Sequence, residues 1–304
     1  MEQRADPWIY KHTDGYYYFT ASVPEYDRIE LRRAKTIEGL AEAPTKNIWH
    51  KHDKGEMSHL IWAPELHYVH GKWYIYFAAG HTMEVLDHRI YVLACEAANP
   101  LEGEWREKGK LDTKSDQFAL DATSFLYNNQ QYLVWAQQEP SIPGHSNLYI
   151  AKMSTPWVIE GTPVMLSKPQ YGWECVNFAV NEGPAVLIQG DKLFISYSAS
   201  GVDRNYCMGL LWCHKSDNFL NPAVWHKSPG PVFVTSDANS QYGPGHNCFT
   251  TAEDGATDLL VYHSRDYEKV VGDPLYDSNR HARVQPFSWT DDGMPDFGIP
   301  AKNS

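Results

Sequence analysis

The sequence predicts an all-β fold, a five-bladed β-propeller, on three observations. Aromatic residues are abundant, with 19 Tyr, 11 Trp and 11 Phe making 13% of 304 residues, and such side chains suit pleated sheets. Helical periodicity is scarce, whereas short apolar runs bounded by Gly, Asp and Asn turns recur throughout. One run repeats five times: DGYYYFTASV from Asp14, HGKWYIYFAAG from His70, NNQQYLVWAQQ from Asn128, GDKLFISYSASG from Gly190 and ATDLLVYHSRD from Ala256. The marker residues Tyr17, Tyr74, Leu133, Phe194 and Leu260 are spaced by 57, 59, 61 and 66 residues. A repeat of this length, seen five times, describes stacked supersecondary units and not one sandwich.

Each unit justifies its strands in order. A first strand precedes the marker run: ADPWIYK, WAPELHYV, LDATSFLY, NEGPAVLI and GPGHNCFT. A third follows it: DRIELRRAKTIEG, HRIYVLACEAANPLEG, SNLYIAKMSTPWVIEG, NYCMGLLWCHKS and NRHARVQPFSW, three of them ending in a shared Glu-Gly turn. KNIWHKH and PAVWHKS supply outer, fourth strands. One blade cannot bury both its faces, so residues 1–304 are expected to form a single propeller domain.

Charge and cysteine usage narrow the function. A net charge of −12 argues against nucleic-acid and membrane-surface partners, which attract basic patches. Five cysteines, at 95, 175, 207, 213 and 248, leave at least one unpaired, which suits a reducing compartment. The first residues, MEQRADPWIYK, carry no signal-peptide apolar core, so a cytoplasmic location is expected.

In a propeller the first strand of each blade lines the central channel. Aligning these strands brings Asp6, Glu65, Asp121, Glu182 and His246 to matching places, 11, 9, 12, 12 and 14 residues before the five markers. A carboxylate at a turn is ordinarily a capping group in water, and a lone interior histidine is ordinarily a satisfied core residue. Four carboxylates and an imidazole around one axis are another matter, because clustered like charges cost stability and are kept where a perturbed pKa is useful. Carboxylates facing one another across a pocket suit glycoside hydrolysis, one protonating the leaving oxygen and another activating water or attacking the anomeric carbon. Standing on different blades, they leave room for a water between carboxyls about 6.5–9.5 Å apart, which predicts inversion of configuration.

RADPWIY, IWAPELHY, LDATSFLY, NEGPAVL and GPGHNCF, in this order from Arg4 to about Trp289, resemble family-43 glycoside hydrolases, and in particular single-domain α-L-arabinofuranosidases and β-D-xylosidases. The resemblance implies that Asp6 is the general base, Glu182 the general acid and Asp121 the carboxylate that orients the acid and tunes its pKa. It implies further that His246 sits beside a calcium ion held mostly by water, that Arg280 contacts the sugar nearest the cleavage point, with Arg283 as a fallback, and that Trp62 is an aromatic wall. The expected function is exo-acting release of terminal α-L-arabinofuranosyl and β-D-xylosyl residues from arabino- and xylo-oligosaccharides. An arabinanase of the same family is the alternative, and a non-catalytic sugar-binding propeller a more remote one. A family-32-like fructan hydrolase fits less well, because RADPWIYK lacks the asparagines and glycine of its first motif.

The chain departs from the family pattern in two places. LDATSF stands where Asp-Pro-Ser is common, and with Ser304 coming shortly after blade five no C-terminal β-sandwich is expected. The pocket is then expected to be closed by propeller loops or by another subunit. HTMEVLDHR (81–89) and QQEPSIPGHSN (137–147) are the insertions expected to wall it off and favour exo action.

Overall fold

The computed structural model describes residues 1–303. Five antiparallel sheets follow one another along the chain. The first holds β1 (Ala5–Lys11), β2 (Tyr17–Ser22), β3 (Arg28–Ala34) and β4 (Lys46–His50). The second holds β5 (His59–Val69), β6 (Lys72–Gly80), β7 (Arg89–Cys95) and β8 (Arg106–Lys110). The third holds β9 (Ala119–Tyr127), β10 (Gln130–Gln137), β11 (Asn147–Thr155) and β12 (Val158–Ser167). The fourth holds β13 (Asn181–Gln189), β14 (Lys192–Ala199), β15 (Cys207–His214) and β16 (His226–Lys227). The fifth holds β17 (Tyr242–Thr251), β18 (Asp258–Arg265) and β19 (His281–Pro286). The sheets are the blades of a five-bladed β-propeller. Among the described residues the one α-helix is Gly39–Glu42, and no helix is long and apolar enough to cross a membrane.

Blade faces are apolar because successive strand residues point to opposite sides and each side meets another blade. Ile29 and Leu31 of blade one pack with Trp73, Ile75 and Phe77 of blade two. Tyr76 and Val92 meet Leu133, Trp135 and Ala151 of blade three, and Val134 and Ile150 meet Leu193, Ile195 and Leu211 of blade four. Met208 and Phe233 then pack with Leu260 and Tyr262 of blade five. Cys248, Val261 and Ala282 close the ring against Ile9, Tyr17 and Phe19. Backbone and side-chain hydrogen bonds reinforce that closure: Ala282 N–H donates to Met1 O at 2.9 Å, and the Tyr17 hydroxyl to Thr251 O at 2.9 Å.

Two expectations need correcting. The Glu-Gly pairs are not one shared turn: Gly39 opens the short helix, Gly103 lies in a turn, and Glu160-Gly161 lie inside β12. The repeated dipeptide says little because three different local structures accept it. Blade five also departs from four strands. Its chain leaves the sheet at Pro286, which has no N–H to offer a ladder, and forms a separate hairpin, β20 (Ser288–Trp289) with β21 (Pro295–Asp296). Phe287 and Phe297 of this segment pack on Phe249. All five cysteines are free, four of them buried and Cys175 exposed.

The innermost strands share one irregularity, and it positions the site. In each, two residues stand opposite one on the neighbouring strand: Asp6-Pro7, Ala63-Pro64, Asp121-Ala122, Gly183-Pro184 and His246-Asn247. The first residue of each bulge is left-handed, with φ of 52°, 46°, 54°, 53° and 44°. A bulge bends the strand and re-aims a side chain at the cost of a ladder bond. Five such bulges at one level of the ring gather backbone turns around the channel mouth.

Candidate active site

A cavity of about 300 Å³ opens at this level. Asp6, Trp62, Asp121, Glu182, His246 and Arg280 all line it. The sequence-predicted set is therefore brought together, with one exception: Glu65 does not reach the cavity. Structural equivalence explains why. Asp6, Asp121 and His246 occupy the left-handed bulge position, but blade two puts Ala63 there and blade four Gly183. Glu182 stands one residue before its blade's left-handed position, Gly183, and Glu65 two residues after its own, Ala63. Glu65 lies instead in the interior of the channel, paired with His67 at 3.0 Å, where burial raises its carboxyl well above the usual range.

Asp6 is the most heavily partnered of the three carboxylates that line the cavity. The Ser22 hydroxyl donates to Oδ2 at 2.5 Å, Arg280 Nη1 to Oδ1 at 3.4 Å, and His246 Nδ1 lies 3.3 Å from Oδ1. Its own N–H donates to His263 Nδ1 at 3.0 Å, so that ring nitrogen is the acceptor. The bulge of blade two contributes as well, because Ala63 N–H donates to Ser22 Oγ at 2.8 Å and fixes the serine. Burial alone would raise the Asp6 carboxyl, but His246, Arg280, His263 and Ser22 together hold it well below the usual carboxylate range. Asp6 is ionised at neutral pH.

Asp121 and Glu182 behave in the opposite way. Gly183 N–H donates to Asp121 Oδ2 at 3.0 Å, and the Tyr206 hydroxyl donates to Glu182 Oε1 at 2.8 Å. Burial first, then Glu182 and Asp6, push the Asp121 carboxyl well up. Burial and Asp6 push Glu182 up to about 7, against the opposing pull of Tyr206 and Arg280. These two neighbours titrate as a pair. The pair holds a proton at neutral pH while Asp6 stays charged.

Arg280 ties the cluster to the wall. Its Nη2 donates to the Tyr26 hydroxyl at 2.9 Å, which donates in turn to Leu275 O at 2.5 Å. Burial works against the guanidinium, yet Tyr26 and Asp6 keep it a cation. Arg283 is not part of the site: it lies on β19, with Nε donating to Ser264 at 2.6 Å. Trp62 stacks on His88 with ring centroids 4.1 Å apart and meets Tyr26 edge-on at 5.6 Å.

The walls are loops of this chain. Val85 and Leu86 come from the 81–89 insertion as expected, but no residue of 137–147 lines the cavity. That second insertion acts at one remove: His145 stacks on Phe178 at 3.6 Å, and Phe178 forms the wall with Asn177. Tyr206, Phe118, Phe178 and Leu275 line the site without having been expected to. They come from connections whose sequence carries no strand period to align.

The residues offer little to a metal. Among the described residues no three His, Cys, Asp or Glu side chains stand in an arrangement that grips an ion. His246 has Asp6 and Asp121 within 3.3 and 3.9 Å of Nδ1. The donor set suits a cation held by one imidazole and a shell of water, and not one caged by protein oxygens.

Residues 1–295 match the profile described as glycosyl hydrolases family 43. The chain belongs to that family. Its similarity to curated family members is high: 56% identity over 299 residues with an "Extracellular exo-alpha-(1->5)-L-arabinofuranosidase" from Streptomyces avermitilis, covering 98% of this chain and 62% of the relative. With "Alpha-L-arabinofuranosidase 43" from Humicola insolens it shares 54% identity, over the same fractions. The chain thus spans about three fifths of the length of these two relatives. A crystal structure of an α-L-arabinofuranosidase from Lactobacillus brevis superposes with a TM-score of 0.97 at 55% identity, covering 99% of this chain and 96% of that one. The cytoplasmic location expected from the first residues is overturned. Two curated relatives, from Streptomyces avermitilis and Streptomyces chartreusis, are named extracellular, and a signal segment is invisible in any stretch that does not contain it.

Proposed function

We propose that this family-43 chain is an exo-acting, inverting α-L-arabinofuranosidase that removes terminal arabinofuranosyl residues from α-1,5-linked arabino-oligosaccharides outside the cell. One observation carries the reading: a single cavity is lined by three carboxyls, of which Asp6 is held ionised by its partners while burial favours the protonated forms of Asp121 and Glu182. Hydrolysis of a glycosidic bond requires those two states at once. Relatives named for arabinofuranose release support the sugar.

In this mechanism Asp6 takes a proton from a water as that water attacks the anomeric carbon. Glu182 gives its proton to the departing glycosidic oxygen. Asp121, fixed by the Gly183 N–H, orients the segment that carries the acid, while burial and the charge on Asp6 keep Glu182 protonated. Arg280 binds sugar hydroxyls while neutralising Asp6. Trp62 offers a flat face to the ring. The cavity stands near the small end of the roughly 300–1,000 Å³ range of ligand sites, which suits one terminal sugar better than a polymer passing through. A calcium ion at His246, held by its imidazole and water, would offset part of the negative charge when bound.

The β-xylosidase activity implied by the sequence resemblance rests on that resemblance alone. Side-by-side turnover of p-nitrophenyl α-L-arabinofuranoside, p-nitrophenyl β-D-xylopyranoside and α-1,5-arabinotriose tests the whole reading. Release of single arabinose units from the trisaccharide is expected. Internal cleavage of longer arabinan, or turnover of the xyloside alone, would replace it.

A further inference from the structure

Next to the acid in the chain lies a buried polar cluster none of whose residues lines the cavity. Glu174 is fully buried and ends a single 3₁₀ turn, Gly172–Glu174. Its Oε2 accepts from the N–H groups of Gln170 and Tyr171 at 2.8 and 2.9 Å. Its Oε1 accepts from the Tyr197 hydroxyl at 3.0 Å and lies 2.6 Å from Lys227 Nζ. Lys227 also donates to Lys168 O at 2.8 Å. A buried ion pair is a weak source of stability, since desolvation offsets much of the attraction, and its best-attested use is to fix one arrangement among several.

What this pair fixes is Asn181. Asn181 Nδ2 donates to Glu174 Oε1 at 2.8 Å, and Oδ1 accepts from Ser167 Oγ at 2.6 Å and from Lys227 Nζ at 3.3 Å. Its backbone is held too, N–H donating to Ser146 O at 3.1 Å and C=O accepting from Ser146 Oγ at 3.2 Å. Asn181 therefore has every polar group engaged, by residues of blades three and four. The next residue is Glu182. The residue after that, Gly183, is the left-handed bulge whose N–H binds Asp121. Glu182 is thus a single residue between two fixed points, with Tyr206 holding its carboxyl at the far end.

We propose that Asn181, clamped by the Glu174–Lys227 pair and Ser167, is a positioning residue that sets the reach of Glu182 toward the leaving oxygen. This inference rests on the reading of Glu182 as the acid. The chemistry makes a specific demand: misplacing an acid costs most where the leaving group needs a proton. An aryl oxide leaves with little help, whereas a sugar alkoxide does not, and a shift of about 1 Å in a catalytic group can cost on the order of a hundredfold.

The test compares Asn181→Ala, Ser167→Ala and Glu182→Ala with the parent on two substrates, p-nitrophenyl α-L-arabinofuranoside and α-1,5-arabinobiose, alongside thermal melting. For Asn181→Ala, kcat on the disaccharide should fall by about tenfold more than on the aryl glycoside, with KM little changed. Ser167→Ala removes one hydroxyl, keeps the fold, and should show the same split to a smaller degree; it stands in if Asn181→Ala does not fold. Equal losses on both substrates, or none, in variants that fold would overturn the clamp while Glu182→Ala still shows the split. If Glu182→Ala itself loses equally on both, the acid assignment fails and the clamp falls with it.

Discussion

Gly183 and the His246 ring are packed so closely that a Cβ on the glycine would sit 3.2 Å from the imidazole Cγ and Nδ1. The same glycine has φ of 53° and donates its N–H to Asp121. Gly183→Ala should therefore add left-handed strain of roughly 1–2 kcal/mol, displace His246 and loosen Asp121 together. A melting temperature lowered by several degrees with kcat reduced at least tenfold is expected. An alanine variant as active and stable as the parent would show that this contact has slack.

The pH profile should report the acid. As the proposed acid, Glu182 must be protonated to act, so kcat/KM is expected to fall as pH rises through about 7. The Tyr206 hydroxyl bond stabilises the ionised carboxylate, so Tyr206→Phe should move this limb to higher pH. Stability follows the same sign. A carboxyl raised from 4.5 to about 7 by burial contributes stability that is complete below its unfolded value and lost as pH rises through the folded one. Glu182→Gln should thus melt higher than the parent above pH 7, with the difference shrinking as pH falls below it. Melting curves whose difference from the parent does not change with pH would contradict the assignment.

The product's configuration tests the arrangement of base and acid. Asp6 comes from blade one and Glu182 from blade four, and the proposed mechanism puts a water between them as nucleophile. Proton NMR during the first minutes of turnover should show the inverted anomer before mutarotation. The retained anomer would instead make Asp6 a nucleophile.

Removal of divalent cations should lower activity or melting temperature if a hydrated calcium sits at His246, and added calcium should restore it. His246→Ala should lose most of that response. Metal-free enzyme indistinguishable from calcium-loaded enzyme would leave His246 as a partner of Asp6 only, at the 3.3 Å already seen.

Much of this was legible in the chain, and the limits have physical causes. ADPWIYK coincides with β1, Ala5–Lys11, because a buried strand bounded by turn residues writes its own boundaries. Aligning first strands on the markers failed for Glu65, whose nine-residue offset to Tyr74 was the shortest of the five. The structural counterpart is Ala63, eleven residues before Tyr74. A bulge inserts a residue without altering the apolar pattern on either side, so pattern alone cannot place it. Tyr206 and Phe178 were invisible for a different reason: they act from connections, where only the folded ring decides which side chain faces the cavity.

The left-handed turns at the channel mouth have a consequence for anyone seeking a hardier enzyme. Asp6, Asp121 and His246 each hold a conformation that costs side-chain-bearing residues about 1–3 kcal/mol, and two of them are buried acids in mutual repulsion. Asp121→Asn keeps the shape, tolerates the same φ and removes a carboxyl whose charged form burial, Glu182 and Asp6 all disfavour. It should melt a few degrees higher than the parent while losing most turnover. Equal or lower melting would mean that the neighbours had already relieved the repulsion. If it does melt higher, heat tolerance and catalysis pull in opposite directions at these positions, and a screen that ranks variants by melting temperature alone would enrich for dead protein. An improvement programme for this propeller would leave the mouth alone and work on the outer edges, where β16 pairs through two residues and blade five lacks a fourth strand.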